Sequence, residues 1–134
     1  MKIYCIGIGG IGLSGVAQIL RSQGHEVLGS DRSLSEVTES LQKSGMTVYA
    51  DHLSEHITPD ISLVIYSEAI PEENPERIEA SKLQIRSINY AQALAMVSHD
   101  KKLIAIAGTH GKTTVTGMLS SILLSNEQDP SIII

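Results

Sequence analysis

Gly108-Thr109-His110-Gly111-Lys112-Thr113-Thr114 has the composition of a loop that holds phosphate. Its two glycines let backbone N–H groups crowd round an anion, and a helix starting there adds the partial positive charge of its N-terminus. Lys112 can reach the β- and γ-phosphates of ATP, and Thr113 can offer its hydroxyl to Mg²⁺. The general phosphate-loop pattern also wants a glycine five positions before Gly111, where Ile106 stands, so the match is to the shorter Gly-x-x-Gly-Lys-Thr. The plain alternative is a glycine turn before an amphipathic helix, with Lys112 merely solvated.

A second glycine loop lies near the start. Gly7, Gly9 and Gly12 reproduce G-x-G-x-x-G, the spacing of a tight turn, a close backbone approach to a diphosphate and close helix–strand packing. Asp31 follows Gly12 by 19 positions, where a ribose-binding acid belongs. Two alternatives stand beside this: glycines used for packing alone, and Asp31 as a cap on the next helix, although Ser33 and Glu36 already offer a capping box there. His52 and His56 are four apart, a spacing that can share a metal on a helix face, but no third ligand sits nearby. They read better as surface histidines, with His52 near a nucleotide base. Cys5 lies inside an apolar run and reads as a small buried filler.

These residues need elements to hold them. Residues 2–6 predict a strand, followed by a helix with Leu13, Val16, Ala17 and Leu20 inward, stopping near Gly24. Residues 26–30 predict a second strand, and Val37 and Leu41 mark the buried stripe of a helix ending at Gly45. Strands are expected at 46–50, 62–66 and 85–88, a helix from the Asn74-Pro75 start through Leu83, and another over 90–97. The β–α alternation predicts a Rossmann-like, doubly wound α/β domain over 1–98 with a parallel sheet. Residues 99–102 are a polar linker. Leu103 to Ala107 is apolar throughout, as in a strand buried on both faces, and Val115, Met118, Leu119, Ile122 and Leu123 mark one face of the helix after the loop. A further apolar strand is expected over 131–134. Two phosphate loops are too many for one nucleotide, so 103–134 reads as the opening strand, phosphate loop and helix of a second, ATPase-type α/β domain.

The totals narrow the function. A chain of 134 residues has room for one domain with a real core, not for a large enzyme. A net charge of -5 argues against nucleic-acid binding, and with four tyrosines as the only aromatics a base-stacking platform is equally out of keeping. A single cysteine permits no disulfide within the chain, and the Met-Lys start carries neither a signal-peptide pattern nor a membrane span. The expectation is a cytoplasmic protein without a membrane partner.

Taken together, Gly7-Ile-Gly-Gly-Ile-Gly-Leu-Ser-Gly15, Gly29-Ser-Asp31, Ser67-Glu-Ala-Ile-Pro-Glu-Glu-Asn-Pro-Glu76 and Gly108-Thr-His-Gly-Lys-Thr-Thr114 resemble the Mur ligases of bacterial cell-wall (peptidoglycan) synthesis, over the whole chain and in order. Within that family the likeness is to members that join L-alanine to UDP-N-acetylmuramate. The resemblance implies an N-terminal domain for the UDP-sugar, a central ATPase domain and a C-terminal domain. The implied reaction makes an acyl phosphate from the lactyl carboxylate and ATP, which the amine of L-alanine attacks. It would place Gly9, Gly10, Ile11 and Gly12 along the UDP diphosphate, Ser30 and Asp31 at the uridine end, and Ser67 and Ala69 beside the same ligand. Gly108, Thr109, His110, Gly111, Lys112, Thr113 and Thr114 would hold ATP, with Lys112 as the catalytic charge and Thr113 on Mg²⁺.

Two departures stand out. Family members usually carry Arg-Ala-Glu where this chain has Asn89-Tyr-Ala-Gln92, and many have Ser-Ser-Ala-Ile where it has Ser67-Glu68-Ala-Ile70. A Glu68 turned toward phosphates would repel them. The length adds a third, since the Mg²⁺ carboxylate and the C-terminal domain of the family have no counterpart, so the chain is expected to bind UDP-sugar without completing a turnover. A stand-alone NAD(P)-binding module and a non-catalytic regulatory remnant remain as other readings. The apolar surfaces of 103–134 suggest a homodimer joined through them.

Overall fold

The computed structural model describes residues 1–133. Five strands, β1 (Lys2–Ile6), β2 (Glu26–Ser30), β3 (Thr47–Tyr49), β4 (Leu63–Tyr66) and β5 (Ser87–Asn89), form one sheet in the order β3-β2-β1-β4-β5, with every pairing parallel. The helices are α1 (Ile11–Ser22), α2 (Glu36–Lys43), α3 (Pro75–Lys82), α4 (Tyr90–Ser98) and α5 (Lys112–Ser125), with a 3-10 turn at Ser54–His56. The expected doubly wound α/β domain is present.

Side chains along β1 alternate between two cores, as the pleat requires. Ile3 and Cys5 face one layer, where Leu13, Val16 and Leu20 of α1, Leu41 of α2 and Val97 of α4 cover the sheet. Tyr4 and Ile6 face the other, with Leu28, Ile57, Ile61, Val64 and Ala80 of α3. A central strand buried on both faces is why its sequence reads as an unbroken apolar run. Cys5 is fully buried, and that burial pushes its thiol up to about 12, so it behaves as the filler expected.

Helix ends follow their sequence signals. Asn74 caps α3 by accepting from Glu76 and Arg77 N–H, with Pro75 in the first turn. The departure at 89–92 is a capping box: Asn89 N–H donates to Gln92 Oε1 at 3.0 Å, and Gln92 N–H to Asn89 Oδ1 at 2.9 Å. The neutral pair thus starts α4 without either charge. For α2 the cap is Ser35 with Thr38, two residues later than the Ser33–Glu36 box expected.

Residues 103–107 are not a strand. They pair with neither edge of the sheet, and Leu103 and Ile104 are 66% and 53% exposed. An apolar run of strand length becomes a strand only by pairing with a neighbour, and this run makes no such pairing. Helix α5 forms where expected, but none of its residues is buried. Residues 131–133 form no strand either, while Ile134 lies outside the described residues. Ile133 instead packs on the α1 side of the core, beside Gly15.

Candidate functional site

The chain leaves β1 at the sheet centre, builds β2 and β3 to one side, then crosses back to β4 and β5 on the other. The crevice at the carboxyl ends of β1 and β4 is therefore the topological switch point where ligands bind in such sheets. A cleft of about 300 Å³ opens there.

Its floor is the first glycine loop. Gly7, at φ +81°, makes the turn that lets both Gly7 and Ile8 N–H donate to Ser30 carbonyl oxygen, at 2.8 and 3.0 Å. Gly9 N–H donates to Asp31 Oδ2 at 2.8 Å, and a Cβ on Gly9 would lie as close as 2.8 Å to that oxygen. A Cβ on Gly12 would lie 2.7 Å from the Tyr90 ring, so this glycine serves the contact of α1 with α4. Gly10 is different: it is exposed, lines the cleft, and a Cβ there meets nothing nearer than Gly7 carbonyl oxygen at 3.4 Å. It also caps α1 without a side-chain hydrogen bond, which leaves the first-turn N–H groups at the cleft rim. Ile11, first in α1, is 77% exposed.

Asp31 lines the cleft and does not cap α2. Its Oδ1 accepts from Ser33 N–H at 2.9 Å while Oδ2 holds Gly9, so the carboxylate braces the loop after β2 against the loop after β1. The loop after β4 supplies the opposite wall through Ser67, Ala69, Ile70 and Pro71. Arg77 fastens that loop, donating to Ile70 carbonyl oxygen at 2.8 Å with its guanidinium 4.0 Å over the Tyr66 ring. Glu68 is exposed and does not line the cleft, so its carboxylate is not aimed at a ligand lying there.

Beneath the cleft lies a cluster that sequence reasoning missed. Glu76, fully buried in the first turn of α3, accepts Tyr4 Oη at 2.6 Å and His56 Nδ1 at 3.0 Å on Oε1. On Oε2 it accepts Ser30 Oγ at 2.6 Å and His52 Nδ1 at 2.9 Å. Burial, reinforced by Glu76, raises the Tyr4 phenol far above its ordinary value, so it stays a donor. His56 stacks on Tyr49 with ring centroids 3.9 Å apart. The reading of His52 and His56 as surface residues is overturned: both imidazoles turn inward because a buried carboxylate needs donors. Ser30 is likewise placed under the cleft, fully buried, rather than in its wall. The only sequence signal was the pair of histidines; nothing local marks Glu76 as their partner.

The second loop stands apart, contributing no residue to the cleft. Gly111, at φ +77°, turns the chain into α5, and Lys112 Nζ folds back onto Gly108 carbonyl oxygen at 2.6 Å. Val115 is the first residue to donate to Gly111. The N–H groups of Lys112, Thr113 and Thr114 therefore lie in the first turn, where no helical acceptor precedes them. Thr109 and His110 are exposed on the turn before. Free N–H groups, Lys112 and Thr113 thus all belong to the first turn of one helix, with the Lys112 ammonium engaged by Gly108 carbonyl oxygen.

A sequence model described as "Mur ligase family, catalytic domain" matches residues 2–102. The chain belongs to the Mur ligase family. It is 46% identical over 134 residues to the UDP-N-acetylmuramate–L-alanine ligase of Clostridium novyi, covering 99% of this chain and 29% of that protein. It is 42% identical over 132 residues to the enzyme of the same name from Carboxydothermus hydrogenoformans, covering 98% of this chain and 28% of that one. In structure it is similar to the UDP-N-acetylmuramate-alanine ligase of Thermotoga maritima, with a TM-score of 0.88 at 34% identity over 95% of this chain and 30% of the other. A murein peptide ligase from Psychrobacter arcticus matches with a TM-score of 0.87 at 33% identity, covering 95% of this chain and 27% of that one. The chain thus spans less than a third of the length of each of these four relatives. Among the described residues no helix is long and apolar enough to cross a membrane.

Proposed function

We propose that this chain is the UDP-sugar-binding portion of a UDP-N-acetylmuramate–L-alanine ligase, working in the cytoplasm. Its cleft would take the uridine diphosphate of UDP-N-acetylmuramate. The observation that carries this reading is the opening at Gly10: the one glycine of the first loop not consumed by packing lies at the switch point, beside the start of α1. Gly9, Gly10, Ile11 and Gly12 would follow the diphosphate, Asp31 and Ser30 would serve the uridine end (Ser30 from below), and Ser67 and Ala69 would flank the ligand. The relatives' names support the same substrate.

In this reading residues 1–98 form the sugar-nucleotide domain, 99–102 the linker and 103–134 the start of the ATP-binding domain. ATP would supply the phosphoryl group that activates the substrate carboxylate. Gly108 to Thr114 would hold its phosphates, Lys112 would neutralise their charge, and Thr113 would offer its hydroxyl to Mg²⁺. L-alanine would be the second substrate of the whole ligase, and this chain by itself would not turn over.

Calorimetry with UDP-N-acetylmuramate and NAD⁺ tests the assignment. Binding of the UDP-sugar and none of NAD⁺ is expected; the reverse would make this an NAD(P)-binding module. ATP-dependent phosphate release with UDP-N-acetylmuramate and L-alanine, abolished by Lys112→Ala, would disprove the claim of inactivity.

The exposed face of 103–134 is proposed to join two copies of the chain. Val115, Met118, Ile122 and Leu124 are each about half exposed or more on α5, and covering what remains open is worth about half of the roughly 1.5–3 kcal/mol of a full burial apiece. Light scattering on the chain is expected to give a dimer mass; a monomer at high concentration would discard this arrangement.

A further inference from the structure

Helix α5 has 14 residues and none of them is buried. A helix of that length is marginal in water on its own, so its stability has to come from outside it. Thr116, Leu119, Ser120 and Leu123 are half-buried and lie along one face, so the helix leans on its surroundings without entering a core. Of the described residues 103–133, only Ile133 packs on either apolar core of the sheet domain.

Ile133 is tied closely to the end of that helix. The N–H groups of Asn126, Glu127 and Gln128 donate back to carbonyl oxygens of its last turn, Gln128 to Leu123 at 3.0 Å. Four residues, 129–132, then lead to Ile133, and Pro130 among them has a fixed φ. Whatever holds Ile133 therefore holds the end of α5.

The receiving surface is Gly15, in the interior of α1. Glycine weakens a helix interior relative to alanine, and neither a positive φ nor a crowding backbone accounts for this one. A Cβ built there would meet a single atom group within 4 Å, the Cγ1 of Ile133 at 3.6 Å. Gly15 stands one turn beyond Gly12, whose missing Cβ makes room for Tyr90. Positions three apart share a helix face, so Ile133 comes in on the side of α1 that meets α4.

We propose that Gly15 is a notch that seats Ile133, and that this seat holds the unit carrying the second glycine loop against the sheet domain. With the chain at 99–102, the unit is then tethered at both ends. The recognition is one of shape, a branched aliphatic side chain laid on bare helix backbone. It does not depend on what either glycine loop binds.

Methyl NOE measurements on the full chain are expected to connect the Ile133 methyls with the Gly15 Hα protons; their absence overturns the proposal. Ile133→Ser takes the side chain out of the seat. Amide exchange in α5 should then quicken about tenfold while exchange in β1 stays as it was. Unchanged exchange in α5 of the folded variant overturns the seat, and equal quickening in β1 would assign Ile133 to the whole domain, which overturns it too. Gly15→Ala sets its methyl at ordinary contact distance from Ile133 and should leave α5 exchange at the parent rate. Gly15→Leu fills the notch and should match Ile133→Ser, with no further effect when the two are combined. Additive effects, or equal exchange in Gly15→Ala and Gly15→Leu, overturn the notch. Should Gly15→Leu fail to fold, the NOE and Ile133→Ser decide the matter between them.

Discussion

Gly10→Asp is expected to leave the fold standing and remove nucleotide diphosphate binding. Gly10 sits at φ -62°, ψ 140°, an extended conformation open to any residue, and its missing Cβ faces clear space apart from Gly7 carbonyl oxygen at 3.4 Å. It is the N-cap of α1, a position where Asp stabilises as well as Gly or better. The urea midpoint should therefore hold or rise slightly. The new carboxylate would cover the first-turn N–H groups and stand against the diphosphate. Two like charges about 4 Å apart near a protein surface repel by up to about 4 kcal/mol. Salt and side-chain rotation reduce this, so UDP-N-acetylmuramate should bind at least about a hundredfold more weakly. Undiminished binding in a folded Gly10→Asp would remove the first glycine loop from the ligand site. The same replacement at Gly9 or Gly12 would be uninformative, because a Cβ there collides with Asp31 or Tyr90.

Glu76→Ala should be the most damaging single change outside the apolar core. It deletes a fully buried carboxylate, leaves Tyr4 Oη and His56 Nδ1 without the acceptor they use, and leaves Ser30 Oγ and His52 Nδ1 with only each other. Breaking a buried charged cluster from one side costs about 3–5 kcal/mol, against about 5–15 kcal/mol for a whole domain. Urea denaturation should report most of that loss. A change below about 1 kcal/mol would mean that water or a rearranged ring satisfies the donors, and the cluster would lose its standing as a structural keystone.

The contrast between these positions explains what the sequence revealed. Strands β1, β2 and β4 and the helices between them were legible because burial on a layered sheet imposes local periods on apolar residues, as at Ile3/Cys5 against Tyr4/Ile6. Asn74-Pro75 and Gly24 announced helix ends because caps are local chemistry. The cluster round Glu76 was not legible. Its members stand at 4, 30, 52, 56 and 76, joined by no period, and each has an innocent local reading: a strand tyrosine, a strand-end serine, two polar-loop histidines and a first-turn glutamate. Residues 103–107 misled in the opposite direction. Their composition states what a strand needs, but pairing is a property of neighbours, and the sheet ends at β5 without them.

The crossing from β3 back to β4 has a consequence for how the molecule acquires its structure. Tyr4 and Ser30 belong to the first half of the sheet and the two histidines to the start of the crossing itself, while Glu76 arrives 72 residues after Tyr4 on its far side. Strands β1 to β3 can pair early at short loop lengths, but they then carry hydroxyls and imidazoles facing an apolar layer with no acceptor. Docking of β4 and α3 closes the longer loop and completes the cluster in one event, so the late step of folding is the one that is rewarded by polar pairing as well as burial. During synthesis, a chain emerged only as far as His56 would hold the donors of this cluster and not its carboxylate, and the ligand cleft would lack one wall until β4 and the loop after it had been made.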